Sequence, residues 1–93
     1  MLLLLTIKNK KMTNEEFYKV FENEETNWNG DNCYQGLQII AKYTDNIMCE
    51  AAHDQIWSEG VDELIEKGIT LEDANELRRL NWMIDEDSLS CFV

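Results

Sequence analysis

The sequence predicts an α+β fold: about four short helices packed on a small antiparallel sheet that closes with a C-terminal β-hairpin. Three observations predict it. Apolar residues recur at helical spacing in four separate segments. Between the second and third of these, one segment alternates at period two. The C-terminal end consists of two short apolar runs around an acidic turn, the pattern of a hairpin.

Thr13-x-x-Glu16 is a capping box, in which the hydroxyl caps an orphan amide and the glutamate reaches back to the cap residue. Phe17, Val20 and Phe21 then draw an apolar stripe along a helix of about 14–24. Asn27-Trp28-Asn29-Gly30-Asp31 is a turn cluster, with Asp31 placed to cap the second helix. Tyr34, Leu37, Ile40 and Ala41 mark that helix over about 32–43. Gly36 weakens it by up to ~1 kcal/mol relative to Ala, unless a neighbouring element needs close approach there. In 47–57, Ile47, Cys49, Ala51, His53 and Trp57 alternate with Glu50, Asp54 and Ser58, which predicts one strand. Val61, Leu64 and Ile65 mark a short helix stopped by Gly68. Thr70 caps the next, with Leu71, Ala74, Leu77 and Leu80 on one side, acids in its first turn and Arg78 and Arg79 in its last. Asn81 suits a left-handed residue after it. Trp82-Met83-Ile84 and Leu89-Ser90-Cys91-Phe92-Val93 flank Asp85-Glu86-Asp87-Ser88. The expected order is α-α-β-α-α-β-β, with a three-stranded sheet covered by helices on one face.

Ninety-three residues suffice for one domain. A hydrophobic fraction of 44% separates the chain from disordered acidic tails. Residues 1–11 carry three lysines and no acid, whereas 12–93 carry five bases and nineteen acids. That break predicts an N-terminal extension over 1–11, disordered or an edge strand, and a single acidic domain over 12–93. Met1-Leu2-Leu3-Leu4-Leu5 is too short for a signal peptide, and its lysines come after it instead of before. It is also too short to span a bilayer. Cys33, Cys49 and Cys91 are an odd set at irregular spacing, so reduced, mostly buried thiols in a cytoplasmic protein are expected.

The chain carries 19 Asp and Glu against 8 Lys and Arg, a net charge of −11. That exceeds the ~2 to 8 units that solubility asks of a small domain. It excludes direct nucleic-acid or anionic-membrane binding and points to a basic partner. Cys33, Cys49, His53 and Cys91 could in principle ligate zinc, but they lack a paired C-x-x-C and come from separate elements. Asn27, Asn29 and Asp31 alternate without the spacing of a calcium loop. His53 beside Asp54 has no nucleophile motif to serve. No cofactor, no metal and no enzymatic activity are expected.

The stretch Gly68-Ile69-Thr70-Leu71-Glu72-Asp73-Ala74, through Leu77-Arg78-Arg79-Leu80-Asn81-Trp82-Met83-Ile84-Asp85-Glu86 to Cys91-Phe92-Val93, resembles the ending of small phage and prophage proteins. In size and acidity the chain is similar to phage anti-defence proteins, anti-CRISPR inhibitors and anti-restriction DNA mimics among them. The resemblance implies an inhibitor that occupies a basic groove on a host defence complex, a ribonucleoprotein such as a CRISPR effector. It transfers no functional residue. Acids in first turns serve their helix dipoles. The candidates for partner contact are therefore those with no such role: Glu22, Glu24, Glu25, Glu66, Glu76, Asp85, Glu86 and Asp87. A phage accessory or regulatory module that contacts its partner through an apolar patch, involving Trp28, Trp57 or Trp82, is the alternative. An exposed sheet edge also leaves room for a homodimer.

Overall fold

The computed structural model describes residues 11–26 and 31–92. The expectations for 1–10 and for 27–30, Trp28 included, lie outside the described residues. The elements are α1 (Asn14–Val20), α2 (Asn32–Ile40), β1 (Glu50–Ala52), β2 (Gln55–Gly60), α3 (Val61–Glu66), α4 (Leu71–Arg79), β3 (Met83–Asp85) and β4 (Ser88–Phe92). The fold is α+β, with a four-stranded antiparallel sheet in the order β1-β2-β4-β3. β4, the last of these strands in the chain, is paired on both sides, and β1 and β3 form the edges.

Local chemistry accounts for the helix ends. The capping box is complete: Thr13 Oγ1 accepts from Glu16 N at 3.1 Å, and Glu16 Oε1 accepts from Thr13 N at 2.8 Å. Thr70 Oγ1 accepts from Asp73 N at 3.0 Å and starts α4. Gly68 at φ 91° and Asn81 at φ 69° succeed α3 and α4 in the left-handed region. Asp31 precedes α2 without a side-chain cap bond. Both N-terminal helices stop short of their predicted ends, at Val20 and Ile40, and tail off in turns.

The single strand expected over 47–57 is a hairpin, so the sheet has four strands instead of three. Ala52 pairs with Gln55, which leaves His53 and Asp54 as a two-residue loop with His53 at φ 55°. Nothing in Ala-His-Asp-Gln announces a turn in the way Asn-Gly would. The alternation that suggests one strand breaks where the chain reverses. A bulge between Trp57 and Gly60 then buries both Ser58 and Glu59.

The core lies between the helices and one face of the sheet. Phe17 from α1, Ile40 from α2, Leu64 from α3 and Leu77 from α4 meet Leu89 and Trp82, all fully buried. Each such side chain contributes about 1.5–3 kcal/mol by leaving water. Phe17 stacks on Phe21 at 5.2 Å between ring centroids. Trp82 crosses α2 at Gly36, where its indole takes the space a Cβ would need, and its Nε1 donates to Asn32 O at 3.0 Å.

This packing brings the first turn of α2 against β4, and Cys33 and Cys91 form a disulfide with their Cα atoms 6.0 Å apart. The expectation of reduced thiols is corrected for this pair. Sequence spacing carries no information on which strand a helix will cross, and 58 residues separate the two. Only Cys49 remains a free thiol, and it is exposed.

Candidate acidic partner interface

The β3–β4 hairpin turns in two residues. Asp85 pairs with Ser88, and between them Glu86 and Asp87 take φ 53° and 62°. Two successive left-handed residues are the pattern of a type I′ turn, for which Asn-Gly is the low-energy sequence. Here both positions hold acids. The tip is riveted to two other elements: Asp87 O accepts from Val61 N at 2.9 Å, and Asp87 Oδ1 accepts from Tyr18 Oη at 2.7 Å. The hydrogen bond to Asp87 pushes the Tyr18 hydroxyl up, helped by burial and by the negative charges of Asp87 and Asp62. The phenol therefore stays a donor.

Gly60 pairs with Ser88, which sets the first turn of α3 beside this tip. Asp62 Oδ1 accepts from Asn14 Nδ2 at 2.6 Å, and Glu63 folds its carboxylate over Gly60. Asp62, Glu63, Glu86 and Asp87 are all exposed, and no Lys or Arg of the described residues forms an ion pair with any of them. Behind them Glu59 is nearly buried, accepting from Thr44 Oγ1 at 2.9 Å and from Gly60 N at 3.0 Å. Partial desolvation, then the charges of Glu59 and Glu63, pushes the exposed Cys49 thiol up, which makes it a weak nucleophile.

The other candidate acids have different surroundings. Glu66 pairs with Lys11 at 3.0 Å. Glu76 is held by a two-pronged Arg79 contact, whose hydrogen bonds and charge keep its carboxyl below the usual range despite some burial. Asp85 turns away from the tip onto the sheet and accepts from Trp57 Nε1 at 3.0 Å and Gln55 Nε2 at 3.2 Å. Glu22, Glu24 and Glu25 are exposed in the segment after α1, which Arg78 holds through the Asn23 carbonyl while also donating to Trp82 O at 2.9 Å.

Of the eight acids that the sequence singles out, Glu86 and Asp87 thus share a cluster with Asp62 and Glu63. The sequence assigns those two to the helix dipole of α3 and gives them no further role. The missing signal is the β2–β4 register, which no local pattern encodes. Cys33 and Cys91, considered as metal ligands, are consumed by their disulfide, and among the described residues no three His, Cys, Asp or Glu side chains gather as a metal site. A shallow groove of about 510 Å³ between α2 and α4 is lined by Gln35, Gln38, Lys42, Asp73 and Glu76. Its polar groups are largely satisfied: Asp73 accepts from Lys42 at 2.7 Å and from Tyr43. No helix among the described residues is long and apolar enough to cross a membrane.

Comparison with protein-family models, with curated proteins and with solved structures gives no match.

Proposed function

We propose that this chain is a non-catalytic phage or mobile-element inhibitor that places its acidic hairpin tip in a basic, nucleic-acid-binding surface of a host defence complex such as a CRISPR effector. The observation that carries the reading is the composition of the turn. Left-handed conformation costs a residue with a side chain about 1–2 kcal/mol, less for Asp than for Glu, and Glu86 and Asp87 both bear it. Two adjacent carboxylates repel as well, and Asp62 and Glu63 lie next to them. Stability alone would favour Asn at the first of these positions, so Glu86 stands there against a cost, as strained residues at functional sites do, while the Tyr18 bond offsets part of that cost at Asp87. Duplex DNA presents about one phosphate charge per 1.7 Å of axis. A fixed group of carboxylates competes for the same Lys and Arg, accepting paired hydrogen bonds from Arg.

In this reading the protein acts in the host cytoplasm. Cys91 is fully buried, which shields that sulfur of the disulfide from cytosolic thiols. The likeness of the C-terminal third to phage proteins supports the biological setting, and the net charge of −11 supports the sign of the partner.

The test exploits the opposed effects of the turn. The variant Glu86→Asn, which leaves the Tyr18–Asp87 bond in place, should melt higher than wild type, by up to about 1 kcal/mol of added stability. The same variant should lose retention of a basic nuclease complex in pull-downs from host extract at low salt. Wild-type complexes should release that partner in salt-step elution at intermediate ionic strength. Unchanged retention by the stabilised variant, or retention indifferent to salt, removes the proposal.

A further inference from the structure

The sheet has a second face, and among the described residues no helix packs on it, since the buried apolar residues of all four helices join Ile56, Leu89 and Cys91 in the core on the other face. Side chains directly opposite in an antiparallel pair point the same way, so the register defines this face. Glu50, Trp57, Ser90 and Met83 form one row across all four strands. Ala52, Gln55 and Phe92 form the next, and Asp85 with Ser88 a third. Trp57 and Met83 are half-buried and Phe92 is 47% exposed, yet none of the three packs against the core under the helices. They lie together on this face, apart from the core.

Its charge is one-sided. Among the described residues the face carries Glu50 and Asp85 and no Lys, Arg or His. Asp85 is fixed by Trp57 Nε1 and Gln55 Nε2 on a single oxygen, Oδ2, and no donor among the described residues reaches Oδ1. The Gln55 amide also donates to Ser90 Oγ at 2.7 Å, and Ser90 Oγ donates to Ile56 O at 2.9 Å. This network holds the Trp57 ring and one open carboxylate oxygen in a set relation. An aromatic ring beside fixed carboxylates suits a planar guanidinium, which stacks on the ring and donates to the acid at once. An ammonium ion satisfies the charge without the stacking.

We propose that this helix-free face docks an arginine-bearing segment of the partner, with the guanidinium on Trp57 between Asp85 and Glu50. The inference rests on the reading that the partner is basic, and adds a second contact next to the hairpin tip. The tip attracts the partner's cations, and the sheet face selects arginine over lysine.

The experiment is a titration of ¹⁵N-labelled protein with an oligo-arginine peptide at low ionic strength, repeated with an oligo-lysine peptide of equal length. Shifts at the Trp57 indole N–H and at the amides of Gln55, Met83, Ser90 and Phe92 are expected with oligo-arginine, with binding several-fold weaker for oligo-lysine. Trp57→Ala and Asp85→Asn should each weaken oligo-arginine binding by roughly three- to thirty-fold. Trp57 lies off the core, so its replacement should keep the fold, and the shift map of the wild-type protein needs no variant. Shifts confined to Asp62, Glu63, Glu86 and Asp87, with equal affinity for both peptides, would overturn this inference and leave the acidic-tip proposal standing. Absence of any binding to either peptide would overturn both.

Discussion

Replacing Gly36 by Ala sets two well-characterised effects against each other, and the structure decides which wins. In an exposed helix the substitution stabilises by about 1 kcal/mol, because Ala restricts the unfolded chain and Gly does not. Here the added Cβ would overlap Trp82 Nε1 and Cε2, well inside van der Waals contact. Trp82 is fully buried among rigid neighbours, so the indole cannot swing aside without disturbing the core. Overpacking of this kind costs about 1–3 kcal/mol. Displacing the ring also breaks its 3.0 Å bond to Asn32 O, and a buried donor left unpaired costs a further ~1–3 kcal/mol. The balance is a net destabilisation of about 2–4 kcal/mol. At about 4–8 °C per kcal/mol for a domain of this size, the melting temperature should fall by at least about 8 °C. Urea and thermal melts monitored by circular dichroism measure it directly. In a Trp82→Phe background, where the indole nitrogen is gone, the penalty should shrink, and the double-mutant cycle isolates the contact. A Gly36→Ala protein as stable as wild type would refute the close-packing argument.

Cys33→Ser opens a loop spanning 58 residues; the chain-entropy relation puts the loss near ~4 kcal/mol at most. Reductant should lower the melting temperature of the wild type and leave the variant unmoved; equal melting with and without reductant would count against the bond. Burial raises the Asp73 carboxyl, but donors from Lys42 and Tyr43, the Lys42 charge and Thr70 outweigh it and hold the group below its ordinary value. A depressed acid contributes stability above its unfolded pKa of about 4, and that contribution disappears as pH falls through the lower folded value. Melting temperatures between pH 7 and pH 3 should therefore fall less for Asp73→Asn than for wild type, and parallel profiles would contradict the assignment. Finally, raising salt should raise the melting temperature of the free protein, since a net charge of −11 repels itself. A fall would mean that exposed pairs such as Lys11–Glu66 outweigh the repulsion, contrary to the small worth of such pairs.

The legible parts of this fold are those fixed within a few residues of chain. Caps at Thr13 and Thr70 and stops at Gly68 and Asn81 depend on local hydrogen bonding and local dihedrals, and the structure has them where the sequence puts them. Even the Gly36 anomaly carries a usable message, that something packs close to α2. What local patterns cannot supply is register. The β1–β2 reversal occurs at His53, a residue with only a modest tolerance for positive φ, so period-two alternation runs straight through it. The Cys33–Cys91 bond and the meeting of Asp62 and Glu63 with the hairpin tip depend on which strands and helices lie side by side. The acids are separable by local role but not by neighbour. Glu76 looks available in the sequence, yet Arg79 closes on it; Asp85 looks like a tip residue, yet Trp57 draws it onto the sheet.

A mobile acidic tail could carry the same charge at no folding cost, so the use of a folded scaffold calls for a physical reason. Ordering a flexible segment at the moment of binding consumes part of the interaction energy, whereas a preorganised group loses little further freedom. Here the β3–β4 hairpin is anchored at four residues. Asp87 is held from α1 and α3, Asp85 from β2, Leu89 by the core and Cys91 by covalent linkage to α2. The Asp87 carboxylate thus stands at a fixed position, and the Trp57 ring, held by Asp85, stands on the adjoining face. In the proposed function, fixed placement would separate imitation of a phosphate array from mere negative charge. Loosening the hairpin without altering a single acid should therefore weaken the proposed complex with a basic partner through its dissociation rate. Tyr18→Phe, which removes only the Tyr18–Asp87 bond, is the mildest way to do so: a faster off-rate at unchanged net charge is the expected result, and an unaltered one would mean that charge alone suffices.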